Sequence, residues 1–217
     1  MEKNQHAPPS VDPADNDSMI GMANTILRKY LQSVDDMLPA RVVSYDRATN
    51  RATIAPMVAI LTTSGSQVAR AQVAAVPVFR FGGGGMALSF NLKPGDLGWM
   101  KSSDRDISIF LQSLSSGPPN TLRLHTFEDS MFFPDAMRGL VIDGEDNEAA
   151  VLQTLDGSHR VVLSNDRVSL IAGASRFDLT ASGVNYAGGP FTINGVTFDS
   201  HVHSGVESGP STTGGPS

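Results

Sequence analysis

The sequence predicts a mainly β protein: an N-terminal barrel of the oligonucleotide/oligosaccharide-binding (OB) type, then a β-helix or β-prism built from several chains, three being the simplest number, with a candidate metal site at its end. Three observations predict it. From Ala40 onward, apolar residues recur with period two in short runs separated by Gly, Pro, Asn and Asp. From Ala149 no helical pattern interrupts roughly 50 residues of such runs. The final segment, otherwise mostly Ser, Gly, Pro and Thr, holds His201 and His203, two of the five histidines in the chain.

The 217 residues suit one large or two small domains. Charged residues make up only 18%, while Gly (21) and Pro (13) are frequent, which favours turn-rich β structure over a helical bundle. No apolar run reaches the ~18 residues of a membrane span. The polar N-terminus has no apolar core of a signal peptide, so none is expected. The chain has no cysteine, which removes disulfides and thiolate metal sites. A formal net charge of −6 argues against binding a phosphate backbone, so no nucleic-acid partner is expected. Beyond Arg176 the only charged side chains of fixed sign are Asp178, Asp199 and Glu207, so the C-terminal stretch has no electrostatic attraction for anionic lipid.

Residues 1–18, rich in Pro and Asp, read as a disordered arm. Ser18 can cap a helix over 19–38, in which Ile20, Ala23, Ile26, Leu27, Tyr30, Leu31 and Val34 recur at helical spacing and Pro39 ends the pattern. The OB domain is expected over 39–116, with strands at 41–47, 51–61, 68–79, 86–90 and 97–102, because five short antiparallel strands fit a small barrel. Few aromatics lie on them, which disfavours base stacking. Residues 117–148 read as a connector opened by Gly117-Pro118-Pro119, followed by apolar sequence without clear period that suits a covering loop or short helix.

Over 149–199 the apolar residues form i, i+2 pairs: Val168/Leu170, Phe177/Leu179, Val184/Tyr186, Phe191/Ile193 and Val196/Phe198. Each strand thus has one apolar face. The strands are too short to close a core alone, and stacked units need neighbours to bury such a face. Three chains around one axis are the simplest closure. Residues 200–217 form the tip. In a strand, residues i and i+2 point to one side, so His201 and His203 can aim at one point. Three copies present six imidazoles, a donor set that suits an octahedral metal: iron fits better than zinc, which prefers four ligands, although zinc and nickel also accept imidazole.

Other motifs give rival readings. Gly195-x5-His201-x-His203-x3-Glu207-x6-Gly214 has the spacing of the first cupin metal motif and would make a metal-dependent enzyme, but the barrel strands and second motif that cupins need do not follow. A generic OB-fold binding module with an inert tail is the other alternative. Gly82 to Gly85 lacks the Lys-Ser/Thr and the helix of a phosphate loop and reads as an inter-strand loop. Asp104, Arg105 and Asp106 read as ion-paired turn residues near a strand end. No nucleophile–His–Asp arrangement is visible, so no catalytic residue is expected.

Two segments resemble the central spike proteins of contractile-tailed bacteriophages and related tailocins. Residues 81–110, FGGGGMALSFNLKPGDLGWMKSSDRDISIF, are similar to that family's OB domain, with its Gly-rich loop, aliphatic strand, KPGD turn and DRDI run. Residues 200–217, SHVHSGVESGPSTTGGPS, resemble its tip: Ser/Thr-His-x-His, a Gly, then a Gly/Ser/Pro tail. The resemblance covers the chain from about residue 20 to its end. It implies a non-enzymatic homotrimer in the virion baseplate, made in the host cytoplasm, whose C-terminal part is a trimeric intertwined β-helix, a needle with a metal-clamped tip. The OB domains would dock on the tail hub, and sheath contraction would drive the spike through the host outer membrane. It also implies that His201 and His203 of three chains hold one iron. It assigns no role to residues 1–38.

Overall fold

The computed structural model describes residues 18–62, 65–137, 139–198, 200 and 209. The chain divides between Arg138 and Gly139 into two compact units.

The first unit opens with α1 (Met19–Gln32), capped by the Ser18 hydroxyl, which accepts the Gly21 N–H at 2.9 Å. The helix stops earlier than its apolar spacing predicts. Ser33 closes it, and Pro39 lies inside strand β1 (Met37–Asp46), opposite Trp99. Proline is tolerated there because the ladder uses its carbonyl, which accepts the Met57 N–H at 2.9 Å. The turn between helix and strand is pinned to the barrel. Asp35 N–H donates to the His125 carbonyl at 2.9 Å, its carboxylate pairs with Arg70 at 2.7 Å, and Ser102 N–H donates to the Asp36 carbonyl at 2.8 Å.

The barrel sheet runs β5 (Val73–Pro77), β2 (Arg51–Pro56), β1, β8 (Leu97–Ser103), β9 (Thr126–Pro134), all antiparallel. A parallel bridge between Val78 and Phe132, with Phe79 N–H donating to the Phe132 carbonyl at 2.8 Å, brings the two edges together and nearly closes the sheet. Alternate residues point inward: Ala40, Val42, Ala52, Ile54, Val76, Met100, Phe127 and Phe132 form the core. A bulge between Val42 and Ser44 resets the phase of β1, so Tyr45 turns toward that core.

Three expected strands differ, the run at 68–79 because it splits into Gln67–Val68 and Val73–Pro77. The run expected to be continuous over 51–61 breaks after Pro56, and Ile60–Leu61 (β3) pairs instead with Gln67–Val68 (β4) in a hairpin off the barrel. The run at 86–90 contributes only Met86–Leu88 (β7), paired with Phe81–Gly83 (β6). The fifth barrel strand is β9, in the stretch read as a covering loop or short helix. Its inward positions include Asp129 and Ser130, which hid its period from a hydrophobicity pattern.

The second unit is a meander of five strands in sequence order: β10 (Ala150–Gln153), β11 (His159–Leu163), β12 (Arg167–Ala172), β13 (Ser175–Thr180) and β14 (Gly183–Ala187). Every pair is antiparallel, and the i, i+2 apolar pairs of β12 to β14 do share a face. A further hairpin, β15 (Thr192–Ile193) and β16 (Val196–Thr197), turns at Asn194-Gly195 with both φ angles positive (50° and 83°), the backbone of a tight primed turn. Among the described residues of this unit only Val162 and Ile171 are buried apolar side chains.

Gly98 shows how tightly the barrel closes. A Cβ there would overlap the Phe133 carbonyl oxygen and the Phe132 ring, the innermost aromatic of the core. Gly98→Ala is expected to cost about 1–3 kcal/mol through overpacking, read as a lower melting temperature of the barrel by circular dichroism; an unchanged melt would show that Phe132 gives way freely.

Candidate functional site

The sequence points first to His201 and His203. Both lie outside the described residues, as does Glu207. What leads to them is described. Tyr186 packs on Phe191 (ring centroids 5.1 Å apart), Phe191 meets Phe198 edge-on at 6.4 Å, and Phe198 N–H donates to the Phe191 carbonyl at 2.7 Å. This aromatic chain and the Asn194-Gly195 turn fix the last hairpin before the pair. Of the described histidines, His125 Nε2 is 3.3 Å from Asp104, and His159 Nδ1 is 2.9 Å from the Ser158 hydroxyl. Among the described residues no cluster of three or more His, Asp or Glu could hold a metal.

The meander has two unlike faces. On one, Asp146 is fully buried in the 3-10 turn Gly144–Asp146. Arg160 Nε donates to one of its carboxylate oxygens at 2.8 Å and Arg167 Nη2 to the other at 3.0 Å. Arg160 and Arg176 both reach Glu145, at 3.2 and 2.8 Å. Arg176 also pairs with Asp178 at 2.7 Å, and the Ser169 hydroxyl donates to the same carboxylate. That hydrogen bond, with the Arg176 guanidinium, holds the Asp178 carboxyl below the usual range. Arg160 and Arg176 lie in one row, each opposite Ile171, and Arg167 comes from the start of the strand between them, a pattern that hydrophobic spacing alone does not reveal.

The opposite face is apolar and bare. One row across the ladder is Leu163, Val168, Leu179, Val184, and the next is Leu152, Val161, Leu170, Phe177, Tyr186. Leu163 and Val184 are each 58% exposed and Leu170 51%. Apart from Tyr186, on which Phe191 packs, and the half-buried Phe177, every side chain of these rows is exposed. Such a continuous exposed apolar face marks an interaction surface.

The barrel carries a second exposed apolar group. Phe81 and Met86 on the β6–β7 hairpin are 76% and 78% exposed, and Phe90 follows at 55%. The sequence reading placed residues 86–90 on a barrel strand; the signal that sets them outside is the four-glycine run, where Gly84 and Gly85 take positive φ to turn the hairpin. No helix begins there, so Gly82 to Gly85 cradles no phosphate at a helix end.

Asp104, Arg105 and Asp106 do not form a reactive cluster. Asp104 and Arg105 pair with each other at the surface, 3.2 Å apart. The Asp106 side chain is fully buried; it accepts the Ser108 N–H at 2.9 Å and the Thr121 hydroxyl at 2.7 Å, and lies 3.3 Å from Arg123. Arg123 in turn grips Asp129 at 3.0 Å. Asp106 is a brace between α2 (Ser108–Ser113) and the entry to β9. Its donors, Ser108 first, then Thr121 and Arg123, hold its carboxyl well below the usual carboxylate range. A depressed folded-state pKa gives stability that is present above the unfolded value and lost as pH falls through the folded one. Asp106→Asn should therefore lower the melting temperature at pH 7, with the gap from the parent protein narrowing in strong acid; a constant gap would remove the charge from the account.

Two family models match the chain. Residues 38–135 match the phage protein Gp138 N-terminal domain, and residues 195–217 match the GpV Apex motif. The first covers the barrel from β1 to β9; the second begins at Gly195 in the last hairpin and includes both His201 and His203. A comparison with curated proteins finds no match.

Proposed function

We propose a mechanical role for this chain, which is a phage baseplate spike protein. Its matched families are structural phage proteins, place it in the virion tail and imply contact with other baseplate proteins. Three copies assemble around one axis, each using the bare rows of its meander against the other two. The assembly narrows to the Apex segment, and on sheath contraction it punctures the host outer membrane. The N-terminal barrel docks on the tail hub, and its exposed Phe81, Met86 and Phe90 supply an apolar contact of the kind that anchors interfaces.

The observation that carries this reading is one chain that joins an Apex segment to a sheet with one satisfied face and one bare apolar face. An enzyme would need a concave site with convergent polar groups. This sheet offers instead an ion network on one side and a docking surface on the other.

The GpV Apex motif is a metal-binding tip motif. His201 and His203 of each copy are the residues that hold the ion, six imidazoles around one iron. A bound ion would supply a crosslink among three chain ends; structural zinc sites of small domains are worth on the order of 10 kcal/mol. The tip histidines would be saturated, with no open position for substrate.

Light scattering of the full chain is expected to give three times the 22.9 kDa chain mass, and a monomer would overturn the reading. Leu170→Asp, which leaves the ion network untouched, should break that assembly; a variant that stays trimeric would remove the bare face from the interface. Elemental analysis of untagged protein should find about one iron per trimer, lost in the His201→Ala/His203→Ala variant. One metal per chain would point to an open, enzyme-like site instead.

A further inference from the structure

We infer that the apolar side of α1 packs against the same side of α1 from two other copies of this chain, forming a short parallel three-helix bundle. The inference rests on the three-chain reading above and adds to it a second assembly element, outside the tip and the meander.

The helix is well formed but uncovered. Ser18 caps its start, and Ser33 N–H returns to the Tyr30 carbonyl at 3.0 Å at its end. Yet Ile20 is 76% exposed, Ile26 63% and Leu27 59%. A 14-residue helix is marginal by itself in water, so its stability must come from what covers it.

The pattern says what that partner is. Within α1, Ile20 and Leu27 stand seven residues apart, with Ala23 and Tyr30 at the other seam positions. Met19 and Ile26 widen the stripe on one side and Leu31 on the other. This is broader than the narrow seam of a two-helix coil and suits packing against two neighbours at once. Arg28 and Lys29 fall off the seam, and 19–32 contains no Asp or Glu, so copies meeting along the stripe bring no charge into it. Ala23 at its centre allows close approach.

The anchor fixes orientation. The turn after the helix is tied to the barrel through Asp35 and Asp36, which engage Arg70, Lys101, Ser102 and the Phe127 N–H. Copies related by a threefold axis would therefore present their helices in parallel and in register. Two heptads are too few to associate unaided, and the bundle forms because the other contacts already hold three helices at high effective concentration.

The absence of cysteine makes the test clean. Ala23→Cys places a thiol at the centre of the stripe, and Gln32→Cys places one on the opposite side of the helix. Each full-length variant is oxidised with diamide and run on a non-reducing gel, with its mass in solution measured by light scattering. Disulfides need Cα atoms within about 7 Å, so Ala23→Cys should give linked dimers in up to two of three chains while Gln32→Cys stays single. A trimer in which Ala23→Cys links no more than Gln32→Cys overturns the bundle and leaves the three-chain reading standing. A monomeric parent protein overturns both.

Discussion

Asp146 has no exposed side-chain surface, and two guanidinium groups meet it from neighbouring strands. The layout of the C-terminal unit depends on that contact. A buried carboxylate is costly unless paired, and removing one partner leaves an uncompensated charge. Because Arg160 and Arg167 must reach inward to the 3-10 turn, their strands are locked with that face covered. The period of two then leaves Val161, Leu163, Val168 and Leu170 on the other side. A one-residue slip would bury the leucines under the turn and strand the arginines. The ion network thus earns its place less by net stability than by register, and register decides that the apolar rows are presented rather than hidden.

The barrel solves a different problem. Its core is apolar and its edges meet, but its polar braces sit where loops enter it. Asp106 and Arg123 tie the α2 region to β9; Asp35 and Arg70 tie the helix turn to the same end of the strand, where Arg70 also lies over the Phe127 ring, 5.5 Å from its centroid. Loops held this way keep an outer surface of the barrel exposed, Phe81 and Met86 among it.

Legibility followed the pleat. In the C-terminal unit the apolar alternation is uninterrupted and the turns are marked by Asp-Gly, Ala-Gly and Asn-Gly, so strands and faces could be read directly. In the barrel, β9 was missed because Asp129 and Ser130 point inward, satisfied by Arg123 and by the Phe127 carbonyl, and a hydrophobicity pattern registers them as breaks. Pro39 misled for a related reason: it is a helix breaker in isolation and a usable strand residue once its carbonyl alone is needed. At the site, the histidine pair stood out by spacing and rarity. The bare sheet face stood out only as alternation, since nothing in one chain's sequence says which of two faces is covered. Phe81 and Met86 could not be placed outside the core without knowing that the glycine run makes a hairpin of its own.

Each strand of the meander pairs only with its sequence neighbours. Short loops close at little entropic cost, so this sheet should form fast and from local contacts. Its apolar rows are then exposed before any partner arrives, a hazard at high local concentration. In the three-chain assembly proposed above, prefolded sheets therefore come first and association second. Speed of association, rather than speed of folding, sets how long those rows stand open to the wrong neighbour.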